Sequence, residues 1–209
     1  MRILAIETAT EACSVALFEQ DAGDDEPSLL AHDHRVLGRG HAERLVPMIA
    51  GLPDRGKSSR VFVSRGPGSF TGVRIGIAAA RALAFAWGAT LAGYPTLALV
   101  AAMARSQRPA TAVDVCMTGG HGEWYCQSFG NDGQPTGSHA SSTPEAAARQ
   151  STAGLIAGTQ ADALAVLRND AEALNFHPDA RHAFAIPQSL FTADVSPIYG
   201  RAPDAKPAA

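Results

Sequence analysis

SRGPGSFTGVRIG, residues 64–76, places four glycines and a proline between a short apolar run, VFVS, and a long one that continues to Leu91. The pattern predicts a buried strand over Val61–Ser64, a tight turn, and a helix from about Gly72 to Trp87. Gly72, Gly76, Ala80, Ala84 and Gly88 recur at every fourth position, so they share one helix face and form a smooth strip that admits another backbone. A glycine inside a helix costs roughly 0.5–1 kcal/mol relative to alanine, so Gly76 calls for a packing reason. Val73, Ile75, Ile77, Leu83, Phe85 and Trp87 surround the strip, and a helix apolar nearly all round must be buried on more than one side. The chain's own core and a second subunit both fit that requirement.

The turn itself has two readings. A glycine-rich loop entering a helix binds phosphate through backbone donors, and Arg74 would favour an anion there. The stretch matches neither GxxxxGK[ST] nor GxGxxG, however, and it holds no lysine. A tight turn capped by Ser69 or Thr71 is the reading these residues support.

Working outward, Ile3–Ile6 and Ser14–Phe18 read as strands of a hairpin, joined by ETATEAC. An acidic turn over 21–27 leads to a third strand, Leu29–Val36. HAERLVPMIA (41–50) reads as a helix, with Pro47 predicting a kink or a late start. GLPDRGKSSR is a loop. After the central helix come a strand over Leu91–Tyr94 and a helix over Thr96–Ala104, so one sheet is packed with helices. Past Pro109, strands Ala112–Met117 and Glu123–Phe129 form a second hairpin. Gly130–Pro144 reads as an exposed loop, Glu145–Arg149 as a short helix, Leu155–Gly158 as a strand and Ala161–Leu167 as a helix. Ala180–Leu190 is expected to be helical around Pro187, and RAPDAKPAA to be a disordered tail. Both halves open with a hairpin, without a sequence repeat that would establish duplication.

At 209 residues, 46% hydrophobic and 18% charged, the chain suits one large domain or two small lobes. A net charge of -3 argues against a broad nucleic-acid-binding face, which needs clustered Lys and Arg. Cys13, Cys116 and Cys126 show no metal spacing and read as buried, reduced thiols of a cytosolic protein. The opening residues lack a long apolar core and a cleavage site, so they are not expected to act as a signal peptide. Ile75–Leu91 comes nearest to a membrane span, but Arg81 and the alanines weaken it.

Glu7 ends the first strand beside Thr8 and Thr10, a place where a carboxylate and hydroxyls hold a metal-bound nucleotide phosphate; no second carboxylate accompanies it, so a local turn role is the alternative. His32, His34 and His41 form neither HExxH nor a helical pair and read as surface histidines. Ser69, His41 and Asp54 have no spacing that supports a triad, and no GxSxG elbow exists.

ILAIETATEACSVALF, HAERLVPMI and above all GPGSFTGVRIG resemble the TsaB (YeaZ) family, closely over about the first hundred residues and more thinly through HGEWY and PIYGR beyond Pro109. The resemblance implies an α/β, two-lobed fold of the actin/Hsp70/sugar-kinase (RNase H-like) type, each lobe a mixed sheet flanked by helices. It divides the chain into an N-terminal lobe (1–108), a reduced C-terminal lobe (109–200) and the tail. It also implies a cytoplasmic, non-catalytic scaffold for threonylcarbamoyladenosine formation at tRNA position 37. The partners so implied are TsaD as a heterodimer and TsaE, with a homodimer when alone, tRNA met only through the complex, and no membrane. The implied contact helices carry His41, Leu45, Met48 and Ile49, and Gly72, Val73, Ile75, Gly76, Ile77, Ala80, Leu83 and Ala84. On that view Gly76→Leu or Ala80→Leu blocks association with TsaD. No catalytic or metal residue is implied; a nucleotide turn at Glu7, Thr8 and Thr10 is vestigial, with ATP or ADP and magnesium reserved for the subunit junction. Glu7 stands where the family has Asp, and Thr118, Gly119 and Gly120 where it has Asp-Ala-Arg. A glycoprotease-like peptidase, an ATP-binding transferase and a self-associating binding module are the alternatives.

Overall fold

Leu4, Ala5 and Ile6 are apolar in succession because β1 (Arg2–Glu7) is covered on both faces. It pairs antiparallel with β2 (Ala12–Glu19) and parallel with β4 (Arg60–Ser64). Ile3 and Ala5 of β1, Ala16 and Phe18 of β2 and Phe62 of β4 face one apolar cluster; Leu4, Ile6, Val15, Leu17, Val61 and Val63 face another. The two-residue alternation thus feeds two different cores. The computed structural model describes residues 1–21, 23 and 27–200. The expected acidic turn over 21–27 lies partly, and the expected tail over 201–209 wholly, outside the described residues.

The first sheet has the order β3-β2-β1-β4-β5, with β3 at Ser28–Val36 and β5 at Thr90–Tyr94. The first three strands are antiparallel neighbours and the last two run parallel to β1. The second half holds β6 (Val113–Thr118), β7 (Trp124–Phe129), β8 (Ala140–Ser142), β9 (Leu155–Ala157) and β10 (Glu172–Leu174). Their order, β8-β7-β6-β9-β10, and strand senses repeat the first sheet. The chain is therefore a two-lobed α/β fold, and the duplication that no residue repeat betrays is plain in the topology.

Helix α1 (His41–Ala50) begins at His41 despite Pro47, so the expected late start does not occur. Helix α2 (Phe70–Trp87) begins two residues earlier than expected, with Ser69 Oγ accepting from Gly72 N at 3.2 Å. Both helices pack on the outer cluster of the first sheet. Helix α3 (Thr96–Gln107) is buried on nearly every side because it lies between the two sheets, with Val115, Met117, Tyr125 and Phe129 in the same cluster. In the second lobe α4 (Pro144–Gln150) and α5 (Ala161–Arg168) cover the far face.

The expected loop over 130–144 contains β8, and β10 lies in a segment expected to hold no strand. Three residues each, ASS and EAL, are too few to show an alternation. The expected helix over Ala180–Leu190 is instead two 3₁₀ segments, Ala180–Ala185 and Gln188–Leu190, parted at Pro187. They carry the chain back onto the first sheet. Phe184 meets Phe18 edge-on with ring centres 4.7 Å apart, and Phe191 lies 4.7 Å from Phe62.

The glycine strip of α2 faces inward. Thr8 Oγ1 donates to Gly72 O at 2.8 Å, and a Cβ on Gly72 or Gly76 would run into Thr8. Ala80 and Ala84 continue this buried face. The packing reason for Gly76 is thus the chain's own β1–β2 turn, which corrects the reading of the strip as a surface kept smooth for a partner. Gly76→Leu is expected to cost about 1–3 kcal/mol of stability through overpacking rather than to test association. Urea unfolding with an unchanged midpoint would show that the approach yields without cost. By length and hydropathy α2 resembles a membrane span, yet its inner face is packed against the sheet.

Candidate functional site

Between the lobes lies a cleft of about 1150 Å³. The first lobe lines it with Thr10, His41, Ser69, Thr71 and Arg74, and the second with the β6–β7 turn, Thr118–His121, and Tyr125. Residues 198–200 close one side. Ile198 N donates to Arg65 O at 2.7 Å, Tyr199 stacks on Phe70 at 5.8 Å, and Arg74 bridges them. The Arg74 guanidinium lies 3.6 Å above the Phe70 ring and donates to Tyr199 Oη at 2.9 Å. Arg74 is therefore engaged by aromatic faces, a cation–π arrangement rather than an open anion site. That grouping of Phe70, Arg74 and Tyr199 has no signal in local spacing, since it joins residues 125 apart.

The expected nucleotide turn is dispersed. Glu7 is fully buried, with Oε1 accepting from Ala9 N at 2.7 Å and Ser64 Oγ at 2.8 Å. Its Oε2 has no hydrogen-bond partner of ordinary geometry, nor does the buried hydroxyl of Thr96. Burial pushes the Glu7 carboxyl up to about 7, against the pull of the Ala9 amide and the Ser64 and Thr96 hydroxyls. Thr8 is spent on α2, as above. Thr10 alone reaches the cleft, where its hydroxyl accepts from Ala12 N at 3.2 Å. The turn does not fit a magnesium-bound phosphate, because its carboxylate is sealed inside the first lobe. Among the described residues no three His, Cys, Asp or Glu side chains converge as metal ligands.

Of the expected contact residues, His41, Leu45, Met48 and Ile49 of α1 are buried, His41 with Nε2 3.1 Å from Ala12 O. Gly72, Val73, Gly76, Ile77, Ala80 and Ala84 of α2 are buried too, and Ile75 and Leu83 are half-buried. These side chains hold the two helices on the sheet. The open face of α2 runs through Ile75, Ala78, Ala82 and Phe85, spaced three or four apart, with Phe85 92% exposed. Val46 on α1 is also exposed, at 58%. Of the expected contact residues only Ile75 borders this open face, and an all-round apolar helix carries no marker of which side a sheet will cover.

A family model described as TsaD, tRNA N6-adenosine threonylcarbamoyltransferase, matches residues 35–149, more than half of the chain. The tRNA threonylcarbamoyladenosine biosynthesis protein TsaB of Escherichia coli is 38% identical over 137 residues, 63% of this chain and 56% of that protein. Its counterpart from Bacillus subtilis is 31% identical over 110 residues, half of this chain and 45% of its own length. YeaZ from Pseudomonas aeruginosa superposes with a TM-score of 0.74 at 27% identity, covering 95% of this chain and 99% of that one. The chain belongs to the TsaB (YeaZ) family. It spans about half the length of the curated TsaB relatives it matches, whereas the YeaZ likeness runs through both lobes. The GPGSFTG signature of this TsaB-family chain now has a physical reading. It sets a turn tight enough to press Gly68 onto Ala9 and to start α2 directly over the β1–β2 turn.

Proposed function

We propose that this chain is a non-catalytic scaffold subunit for making threonylcarbamoyladenosine at tRNA position 37, and that it works by binding and stabilising TsaD through the outer faces of α1 and α2. The observation that carries this reading is the apolar stripe Ile75–Ala78–Ala82–Phe85 on a helix whose opposite face is fixed to a sheet. A fully exposed Phe beside alanines on a rigid support gains by burial against a partner helix, and little of its own structure must be ordered to do so. The names of the relatives concern threonylcarbamoyladenosine biosynthesis, and the choice of TsaD as partner follows from the family resemblance. tRNA and TsaE are met through the complex, and a nucleotide would sit at the junction with TsaD rather than in the sealed Glu7 turn. Because the same stripe suits self-association, the chain alone forms a homodimer that TsaD displaces.

Phe85→Asp is expected to weaken TsaD binding at least about 10-fold, the equivalent of roughly 1.4 kcal/mol, without disturbing the fold. Calorimetric titration of full-length chain into TsaD measures this, with light scattering of the chain alone as its companion. A folded variant of undiminished affinity would overturn the assignment of the face. A wild-type dimer that TsaD neither binds nor dissociates would leave a self-associating module.

A further inference from the structure

Cys116 and Cys126 face each other across the β6–β7 hairpin, in direct register, with their Sγ atoms 3.1 Å apart. The turn bond from Gly119 N to Glu123 O sets the phase of this ladder. Counting three residues back along it places Cys116 and Cys126 at a non-hydrogen-bonded pair, where antiparallel Cα atoms lie only about 4.5 Å apart. That separation is within the range a disulfide spans without backbone movement. Both side chains lie on the face shared with Trp124, Ala147, Ile156 and Leu164. Cys116 is fully buried there, while Cys126 is half-exposed and both thiols are free, so the expectation of a buried thiol fails at Cys126. Cys13 lies buried in the first lobe, away from the pair.

We propose that Cys116 and Cys126 form a reversible disulfide in the folded protein, a redox modification site served by small-molecule disulfides such as oxidised glutathione. Cys126 loses its proton to solvent and attacks one sulfur of the oxidant. The oxidant's S–S bond breaks, and one glutathione leaves as a thiolate that takes up a proton. Cys116, deprotonated in turn, attacks the Cys126 sulfur of the mixed disulfide and expels the second glutathione. Two protein thiols are oxidised and one glutathione disulfide is reduced to two thiols. The second step is the slow one, since hydrogen bonding to Cys126 and burial push the Cys116 thiol far above its ordinary value. The crosslink ties together the strands whose turn, Thr118–His121, walls the cleft.

The test is thiol titration and peptide mapping of the folded full-length chain after incubation with oxidised glutathione. The thiol count is expected to fall from three to one, with Cys116 joined to Cys126, and to return to three with dithiothreitol. Cys116→Ser is expected to stop as a glutathione adduct on Cys126, and Cys126→Ser to remain unmodified; Ala replaces Ser at either position if circular dichroism shows a loss of fold. Three intact thiols in the folded wild type, under conditions that oxidise its urea-unfolded form, overturn the proposal. So does a wild-type chain that halts at the glutathione adduct.

Discussion

Replacing Asp114 with alanine is expected to remove about 2–4 kcal/mol of stability, a large share of what a domain of this size holds. Asp114 sits on β6, the central strand of the second sheet, and is 4% exposed. One carboxylate oxygen accepts from the Ser128 hydroxyl on β7. The other accepts from Ser151 Oγ at 2.7 Å and from the amides of Thr152 and Ala153 at 2.7 and 2.8 Å, in the connection from α4 to β9. Arg168, at the end of α5, brings Nη1 to 3.7 Å from the same oxygen and donates to Ser151 Oγ and Ala153 O. Alanine would remove the acceptor of two half-buried amides and two hydroxyls at once, and each such loss carries its own desolvation penalty, while Arg168 keeps Asp170 at 2.9 Å. Asp114→Asn keeps an acceptor but not the charge, so it should lose less. Chemical denaturation of the two variants beside wild type measures the difference. A loss below about 1 kcal/mol for alanine would mean that water replaces the carboxylate, contrary to the burial of the site.

Much of this architecture was legible in the residues, and the exceptions have physical causes. The inner strands of the first sheet, β1, β2 and β4, read clearly because each is covered on both faces and is apolar along nearly its whole length. β8 and β10 did not, since they lie at the edges of the second sheet and their three residues are held by neighbouring strands rather than by a pattern of their own. Gly72 and Gly76 announced a close approach, but which backbone approaches is a long-range fact: Thr8 is 64 residues from Gly72. The same holds for Asp114, whose partners lie on β7, in the α4–β9 connection and at the end of α5, and for Phe85, which faces outward from an apolar helix. Local spacing specifies an element's period; it does not say which face the rest of the chain will cover. Glu7 is the sharpest case, because its position at a strand end suited a cleft residue and the fold instead sealed it inside.

That sealing makes the stability of the protein depend on pH. The folded Glu7 carboxyl titrates at about 7, against 4.5 for an unburied one, so the native state binds this proton more tightly than the unfolded chain does. Glu7 therefore imposes no penalty below about pH 4.5, and its penalty grows as pH rises to 7 and levels off above. At one pKa unit per 1.36 kcal/mol, the full penalty is about 3 kcal/mol. The charge presses on Cys13, whose thiol burial and Glu7 together raise to about 11, and on Tyr94, which is raised as well. Glu7→Gln keeps an acceptor for Ala9 N and Ser64 Oγ and turns a neutral amide toward the Thr96 hydroxyl. The variant is expected to match wild type near pH 4 and to exceed it by up to about 3 kcal/mol at pH 8, so that the difference itself grows with pH. Urea unfolding of both chains across that range measures it. A difference that stays constant with pH would mean that Glu7 is already neutralised or hydrated in the native state. It would also remove the reason for regarding the strand-end carboxyl as buried cargo of the fold rather than a group poised toward the cleft.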